Sequence, residues 1–285
     1  MHLRHIVAAA DESDAGRQAV RTAIALGSRS SAKVTVLRVA TAEATHRAVS
    51  VGSGQSENGI DAIAHGYLKR WLEADVLSPN DTPVVELATT AGIPGIEICR
   101  FAEDEHADLV VLGRKQHSRM MRLLLGDTAD AVARRSLIPC LFTPPRLGEV
   151  TEVLTALDGT DRGINVLIEA CDFARIAATT LRTITVERTP WSESVQVVSD
   201  LPVARSSTLR TKVQEVLLRK NMEAVPLAIR RGDIVERVIA EVKETGVDVL
   251  AIGYHRGGPP GVLEAGSTAR RLAHVAPCCV LTIPL

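Results

Sequence analysis

Apolar and polar positions along this chain follow two alternating rhythms. Short runs rich in Val, Ile and Leu read as buried strands, and the longer stretches between them carry the apolar spacing of amphipathic helices. In the first half, strands are expected at Ile6–Ala10, Lys33–Val39, Val84–Thr89, Leu109–Gly113 and Cys140–Thr143. Helices are expected at Asp14–Ser30, Asn58–Leu77, Gly95–His106 and Asp127–Ser136, the first with Ala15, Ala19, Thr22, Ala23 and Leu26 on one face. The second half repeats the order, with strands at Glu152–Leu157, Thr180–Val186, Ala224–Ile229, Val249–Ile252 and Cys279–Ile283. Its helices fall at Arg162–Ala177, Leu209–Lys220, Ile234–Glu244 and Thr268–Val275. Strands alternating with helices in this way predict βαβ units and a parallel sheet.

The repetition extends to single residues. Ala107-Asp-Leu-Val-Val-Leu-Gly113 followed by Gly126-Asp127-Thr128 matches Val247-Asp-Val-Leu-Ala-Ile-Gly253 followed by Gly266-Ser267-Thr268, at an offset of 140 residues. Ile6–Ser13 matches Val153–Thr160 at an offset of 147, pairing Asp11 with Asp158. Solenoid repeats are shorter than this, so the pattern is a duplicated domain. The expected fold class is α/β: two tandem doubly wound parallel-sheet domains, residues 1–147 and 148–285, related by a pseudo-twofold axis. The join Pro144-Pro145-Arg146-Leu147-Gly148 is too short to let the halves roam.

Composition narrows the function classes. Aromatics make up only 2% of the chain, so the cores must be aliphatic, the usual filling of a sheet covered on both faces. A net charge of -1 argues against a nucleic-acid binder. No apolar run approaches a membrane span, and the chain enters its first strand directly from Met1, so the cytoplasm is the expected compartment. The five cysteines show no metal-ligand spacing and read as buried, with a redox role for Cys278-Cys279 as the alternative. No metal site is expected among the scattered histidines. Gly52-Ser53-Gly54 lacks the third glycine of a dinucleotide loop and reads as a flexible loop.

Ligands of open parallel sheets bind beyond the carboxyl ends of the strands, where strand order reverses. Gly113 and Gly253 end the fourth strand of each half, and Gly126 and Gly266 open the next helix. Glycine there is expected to admit a ligand close to the backbone and to adopt positive φ. A helix start offers free N–H groups to a phosphate, and Ser267 and Thr268 add hydroxyl donors. Asp158 would lie on the same rim, within reach of a ribose or base edge.

This arrangement resembles the universal stress protein family in its tandem form. The family motif is a glycine, two residues, a glycine, nine residues, a glycine, then serine or threonine. The resemblance implies an adenine-nucleotide alpha-hydrolase-like fold, with ATP bound where the motif is complete. It also implies Val39 and Val186 on the adenine side, and pairing of the domains through Cys140–Thr143 and Cys279–Ile283. The second half keeps Gly253, Gly266 and Ser267, but Arg256 stands at the second glycine, where its planar fork could still bind phosphate. The first half has Gln116 at that place and Asp127 in place of the hydroxyl residue. A carboxylate about 5 Å from a phosphate charge costs roughly 3 kcal/mol at an effective dielectric near 20. Asp127 is alternatively expected to cap its helix, filling the place of the phosphate.

The expectation is a stress-response protein that binds ATP or a related adenine nucleotide in its second half, through Asp158, Val186, Gly253, Arg256, Gly266, Ser267 and Thr268. No residue set suggests catalysis: there is no GxxxxGK[ST] loop and no GxSxG elbow. The alternative is a nucleotide-free interaction module with degenerate pockets. An unidentified protein is the expected macromolecular partner, and a homodimer stays open.

Overall fold

The computed structural model describes residues 1–41, 66, 68–72, 85–117, 122–124, 126–187, 200–223, 227–254 and 267–285. The chain divides into two compact units, His2–Leu147 and Gly148–Leu285, Met1 grouping with the latter. The first unit runs β1 (His5–Ala9), α1 (Asp14–Ser30), β2 (Lys33–Ala40), helical residues at 68–72, β3 (Val85–Ala91), α2 (Pro94–Asp104) and β4 (Leu109–Gly113). A hairpin of β5 (Lys115–His117) and β6 (Arg122–Leu124) follows, then α3 (Asp127–Arg135) and β7 (Cys140–Thr143). The second unit runs β8 (Glu152–Leu157), α4 (Asp161–Ala177), β9 (Thr180–Glu187), α5 (Asp200–Arg219), β10 (Leu227–Arg231), α6 (Ile234–Thr245), β11 (Val249–Tyr254), α7 (Ser267–Val275) and β12 (Cys279–Pro284).

Within the first unit the strand order is β3-β2-β1-β4-β7, and within the second it is β10-β9-β8-β11-β12. Every ladder in these two orders is parallel. The doubly wound α/β reading is therefore correct for each unit. Registers repeat too: Ala9 pairs Leu37 as Ala156 pairs Ile184. The Gly92 amide donates to the Ala40 carbonyl, as Gly232 does to Glu187. The offset has thus dropped from 147 to 140 by that point, so the length difference lies between the second and third strands.

Local chemistry sets the helix ends. Ser13 and Thr160 cap α1 and α4 by accepting from the amides of Gly16 and Gly163, each at 3.1 Å. Asp233 caps α6 through the Glu236 amide at 3.0 Å, and Gly246 closes it at φ 72°. Each such cap stabilises by about 1 kcal/mol. The reading placed the start of α5 at Leu209, nine residues after the observed Asp200. Pro202 broke the periodicity, although proline is tolerated in a first helical turn. The β5–β6 hairpin was not foreseen, because Lys-Gln-His carries no strand pattern. The Gly52-Ser53-Gly54 loop and most of the expected Asn58–Leu77 helix lie outside the described residues.

Aliphatic side chains fill both cores, but matching positions differ in chemistry. In the first unit His5 Nδ1 donates to the Glu105 carbonyl (3.0 Å), leaving Nε2 to accept from the Thr35 hydroxyl (2.8 Å). The equivalent pair in the second unit is Glu152 accepting from Arg182 Nε at 2.6 Å. Asp172 on α4 is buried and accepts from Lys220 Nζ at 2.8 Å and Arg175 Nη2 at 2.8 Å, tying α4 to the end of α5. Thr155 and Thr183 are register partners, are buried, and have hydroxyls with no hydrogen-bond partner among the described residues. Ala8 and Val36 hold those positions in the first unit. An unpaired buried hydroxyl is costly. Thr155→Val with Thr183→Val should therefore leave the melting temperature of the second unit unchanged or raise it by a few degrees; a fall measured by calorimetry would mean these hydroxyls stabilise the fold.

Candidate functional site

In each unit the chain runs through three strands on one side, then crosses to the other side of its first strand. The order reverses between β1 and β4, and between β8 and β11. A crevice beyond the carboxyl ends of those strands follows from this topology. Asp11 and Asp158 sit on its rim, in the loops after β1 and β8. Asp158 Oδ1 accepts from the Thr160 amide (2.9 Å) and hydroxyl (2.7 Å), and Thr160 in turn caps α4. Asp11 makes the same contacts with the Ser13 amide (3.1 Å) and hydroxyl. One oxygen of each carboxylate is thus committed to the loop, and both residues stay exposed to solvent.

The fourth-strand glycines have a different cause from the one expected. Neither Gly113 nor Gly253 is among the positive-φ residues, and Gly126 lies at φ -69°. A Cβ on Gly113 would stand 2.5 Å from the backbone carbon of Ala15 in α1. One on Gly253 would meet Leu285 Cδ1 at 2.6 Å and Val166 Cγ2 at 2.9 Å. Close packing therefore favours glycine at both places whether or not a ligand binds, most strictly at Gly113, where the clash is with main chain.

The helix starts differ between the units. Gly126 is the N-cap of α3 and makes no side-chain cap bond. Asp127 is the first residue inside the helix and is exposed, so the expected capping role is wrong. Its charge still complements the helix dipole. Asp130 in the same turn is buried and paired with Arg134 at 3.1 Å, which leaves Asp127 as the open negative charge. The first turn of α7 contains no acid: Ser267 opens it, Thr268 is half-buried, and Arg270 and Arg271 follow, both exposed.

Parallel topology brings Asp158, Val186, Gly253 and the start of α7 with Thr268 to one edge of the second unit. Val186 is half-buried on β9, as Val39 is on β2. Arg256, Gly266 and the Ser267 side chain lie outside the described residues. Sequence reasoning missed an ion pair on the rim of the first unit, where Arg38 Nη2 donates to Glu12 Oε1 at 2.8 Å. Opposite charges just past β1 and at the end of β2 were the available signal. It also missed Arg114, wholly buried directly after Gly113, whose amide donates to the Thr143 carbonyl at 2.7 Å.

All five cysteines are buried, and none forms a disulfide. Burial, reinforced by Glu103 and Asp172 respectively, pushes the Cys99 and Cys171 thiols up to about 11, which makes them poor nucleophiles. Among the described residues no cluster of His, Cys, Asp or Glu could hold a metal ion, and no helix is long and apolar enough to cross a membrane.

A model of the universal stress protein family matches residues 2–144 and again 149–284. The chain belongs to the universal stress protein family. It is 22% identical to a universal stress protein of Synechocystis over 98% of this chain and 99% of that one. A Mycobacterium tuberculosis universal stress protein is 25% identical over 64% of this chain and 66% of its own. The crystal structure of a universal stress protein from Archaeoglobus fulgidus covers 100% of this chain and 99% of its own, with 18% identity and a TM-score of 0.71. At that identity the likeness speaks for the fold: two universal stress domains in tandem.

Proposed function

We propose that the second unit binds ATP or a related adenine nucleotide at the carboxyl edge of its sheet, acting by binding and not by turnover. The first unit is read as binding nucleotide weakly or not at all, since Asp127 opposes a phosphate there; the alternative reading makes the whole chain a nucleotide-free interaction module with degenerate pockets. The observation that carries this reading is the contrast between the two helix starts. Asp127 presents an exposed carboxylate in the first turn of α3, whereas α7 opens with Ser267 and Thr268 and has no first-turn acid. A phosphate near Asp127 meets a repulsion of roughly 3 kcal/mol at an effective dielectric near 20. At α7 it meets free N–H groups, the positive end of the dipole and hydroxyl donors. Gly253, Arg256 and Gly266 complete the assigned set, with Asp158 and Val186 toward ribose and base. The reading assigns no catalytic residue, and it implies the cytoplasm, where ATP is abundant.

Calorimetric titration of the full chain with ATP tests it. Wild type should bind one equivalent, and Gly266→Val should abolish binding by placing a branched side chain in the phosphate space. Asp127→Ser removes the repulsion in the first unit and should raise affinity there by up to about a hundredfold. Equal ATP affinity of wild type and Gly266→Val would rule out the second unit as the site.

A further inference from the structure

Helices α2 and α6 hold equivalent places in the two units, 140 residues apart, yet they face solvent with different chemistry. The start of α6 suits water: Asp233 accepts from the Glu236 amide at 3.0 Å, and both residues are exposed. At those two positions α2 carries Ile93 and Ile96, 66% and 42% exposed. Ile93 is the N-cap and makes no side-chain bond, so the helix forgoes the roughly 1 kcal/mol that an Asp there would add. A local rule broken without local gain marks a surface shaped by something beyond its own fold. Spaced three, four and three residues apart, Ile93, Ile96, Arg100 and Glu103 form one stripe along α2. All four are exposed, whereas Ile98, Cys99 and Ala102 of the same helix are buried.

We infer that this stripe is a self-association face, on which the α2 helices of two copies of the chain pair antiparallel about a twofold axis. The stripe is its own complement. Its positions are symmetric about Ile98, so reversing one copy sets Ile96 against Arg100 of the other, and Ile93 against Glu103 of the other. The Arg100 methylenes then cover Ile96, while its Nη2 keeps its bond to Glu97 Oε2 at 2.6 Å within its own helix. Glu103 and Asp104 come to the start of the other copy's α2, which lacks a side-chain cap and where the helix dipole favours negative charge. Parallel pairing would instead set these acids against each other. The equivalent stripe of α6 reads Asp233, Glu236, Ala240 and Lys243, so the second unit has no counterpart and association closes at two copies. One pair of short helices falls below the roughly 1,200 Å² of a standard interface, so the dimer is weak and transient.

Analytical ultracentrifugation of the full chain at low salt, over a wide range of concentration, tests this. Wild type should show a monomer–dimer equilibrium. Ile93→Asp sets a carboxylate against Glu103 of the other copy and should weaken association at least tenfold. The same change supplies the missing helix cap, so the melting temperature of the first unit should not fall, and lost association is not lost fold. Adding Glu103→Lys to that variant turns the repulsion into an ion pair between copies and should restore association to within a few-fold of wild type. Positions 93 and 103 lie about 15 Å apart along one helix, so the rescue cannot arise within a single chain. If Ile93→Asp melts early, Ile96→Lys replaces it, facing Arg100 of the other copy with the same tenfold loss expected. A dimer that these changes leave intact forms through another surface and overturns the inference. So does a rescue that fails in folded protein. A chain that stays monomeric at every concentration overturns it too, and would assign the stripe to a different protein.

Discussion

Gly113→Ala should destabilise the first unit by about 3 kcal/mol, whereas Gly253→Ala should cost the second only about 1 kcal/mol. The added methyl on Gly113 drives into the main chain of Ala15, so α1 as a whole must move off the sheet. On Gly253 it meets methyl groups of Leu285 and Val166, which can rotate away. Hydrogen-exchange protection of β1 and β4 against β8 and β11 would measure each unit separately. Equal losses in the two units would show that α1 yields as readily as a leucine side chain. The contrast bears on function as well. Lost ATP binding in a Gly253 variant could follow from displaced packing, which makes Gly266 the better probe of the site.

Asp172→Asn should cost the second unit about 2 kcal/mol near neutral pH, by leaving Lys220, Arg175 and the Met1 ammonium without their shared partner. Burial pushes the Asp172 carboxyl up, but Lys220 and the Met1 ammonium, both hydrogen-bonded to it, lower it by more, and the net is a depressed pKa. A depressed folded-state pKa stabilises above the unfolded value, and the gain is lost as pH falls through the folded one. The gap between wild type and Asp172→Asn in urea unfolding should thus be full at pH 6–7 and close as pH drops below about 4. A gap that persists into acid would mean the carboxylate acts through packing alone.

Most of the fold was legible because it depends on pattern. Leu109–Gly113 and Cys140–Thr143 were bounded correctly, since buried parallel strands are unbroken aliphatic runs. The start of α5 was not legible, since Pro202 signals a stop and a first turn equally well. The site was legible as a location but not in its causes. Spacing placed Gly113 and Gly253 at the crevice, yet their need for glycine comes from Ala15 and from Leu285 with Val166, contacts that no local pattern encodes. Asp127 looked like a cap because it follows a glycine at a helix start, but the helix begins one residue earlier than capping would require. Glu12 and Arg38 lie 26 residues apart and meet only because β1 and β2 are neighbours.

The strand order has a consequence for synthesis. β1 lies in the middle of its unit, but of its two neighbours only β2 follows soon after it; 68 residues separate the end of β2 from the start of β4. At roughly 5–20 residues per second, that interval is on the order of 3–14 s. Throughout it the nascent chain carries an aliphatic strand with one unpaired edge, the kind of surface on which chains join one another. The second unit passes through the same state with β8 waiting for β11. Each ribosome thus presents this hazard twice per chain, and a polysome holds many copies of it side by side.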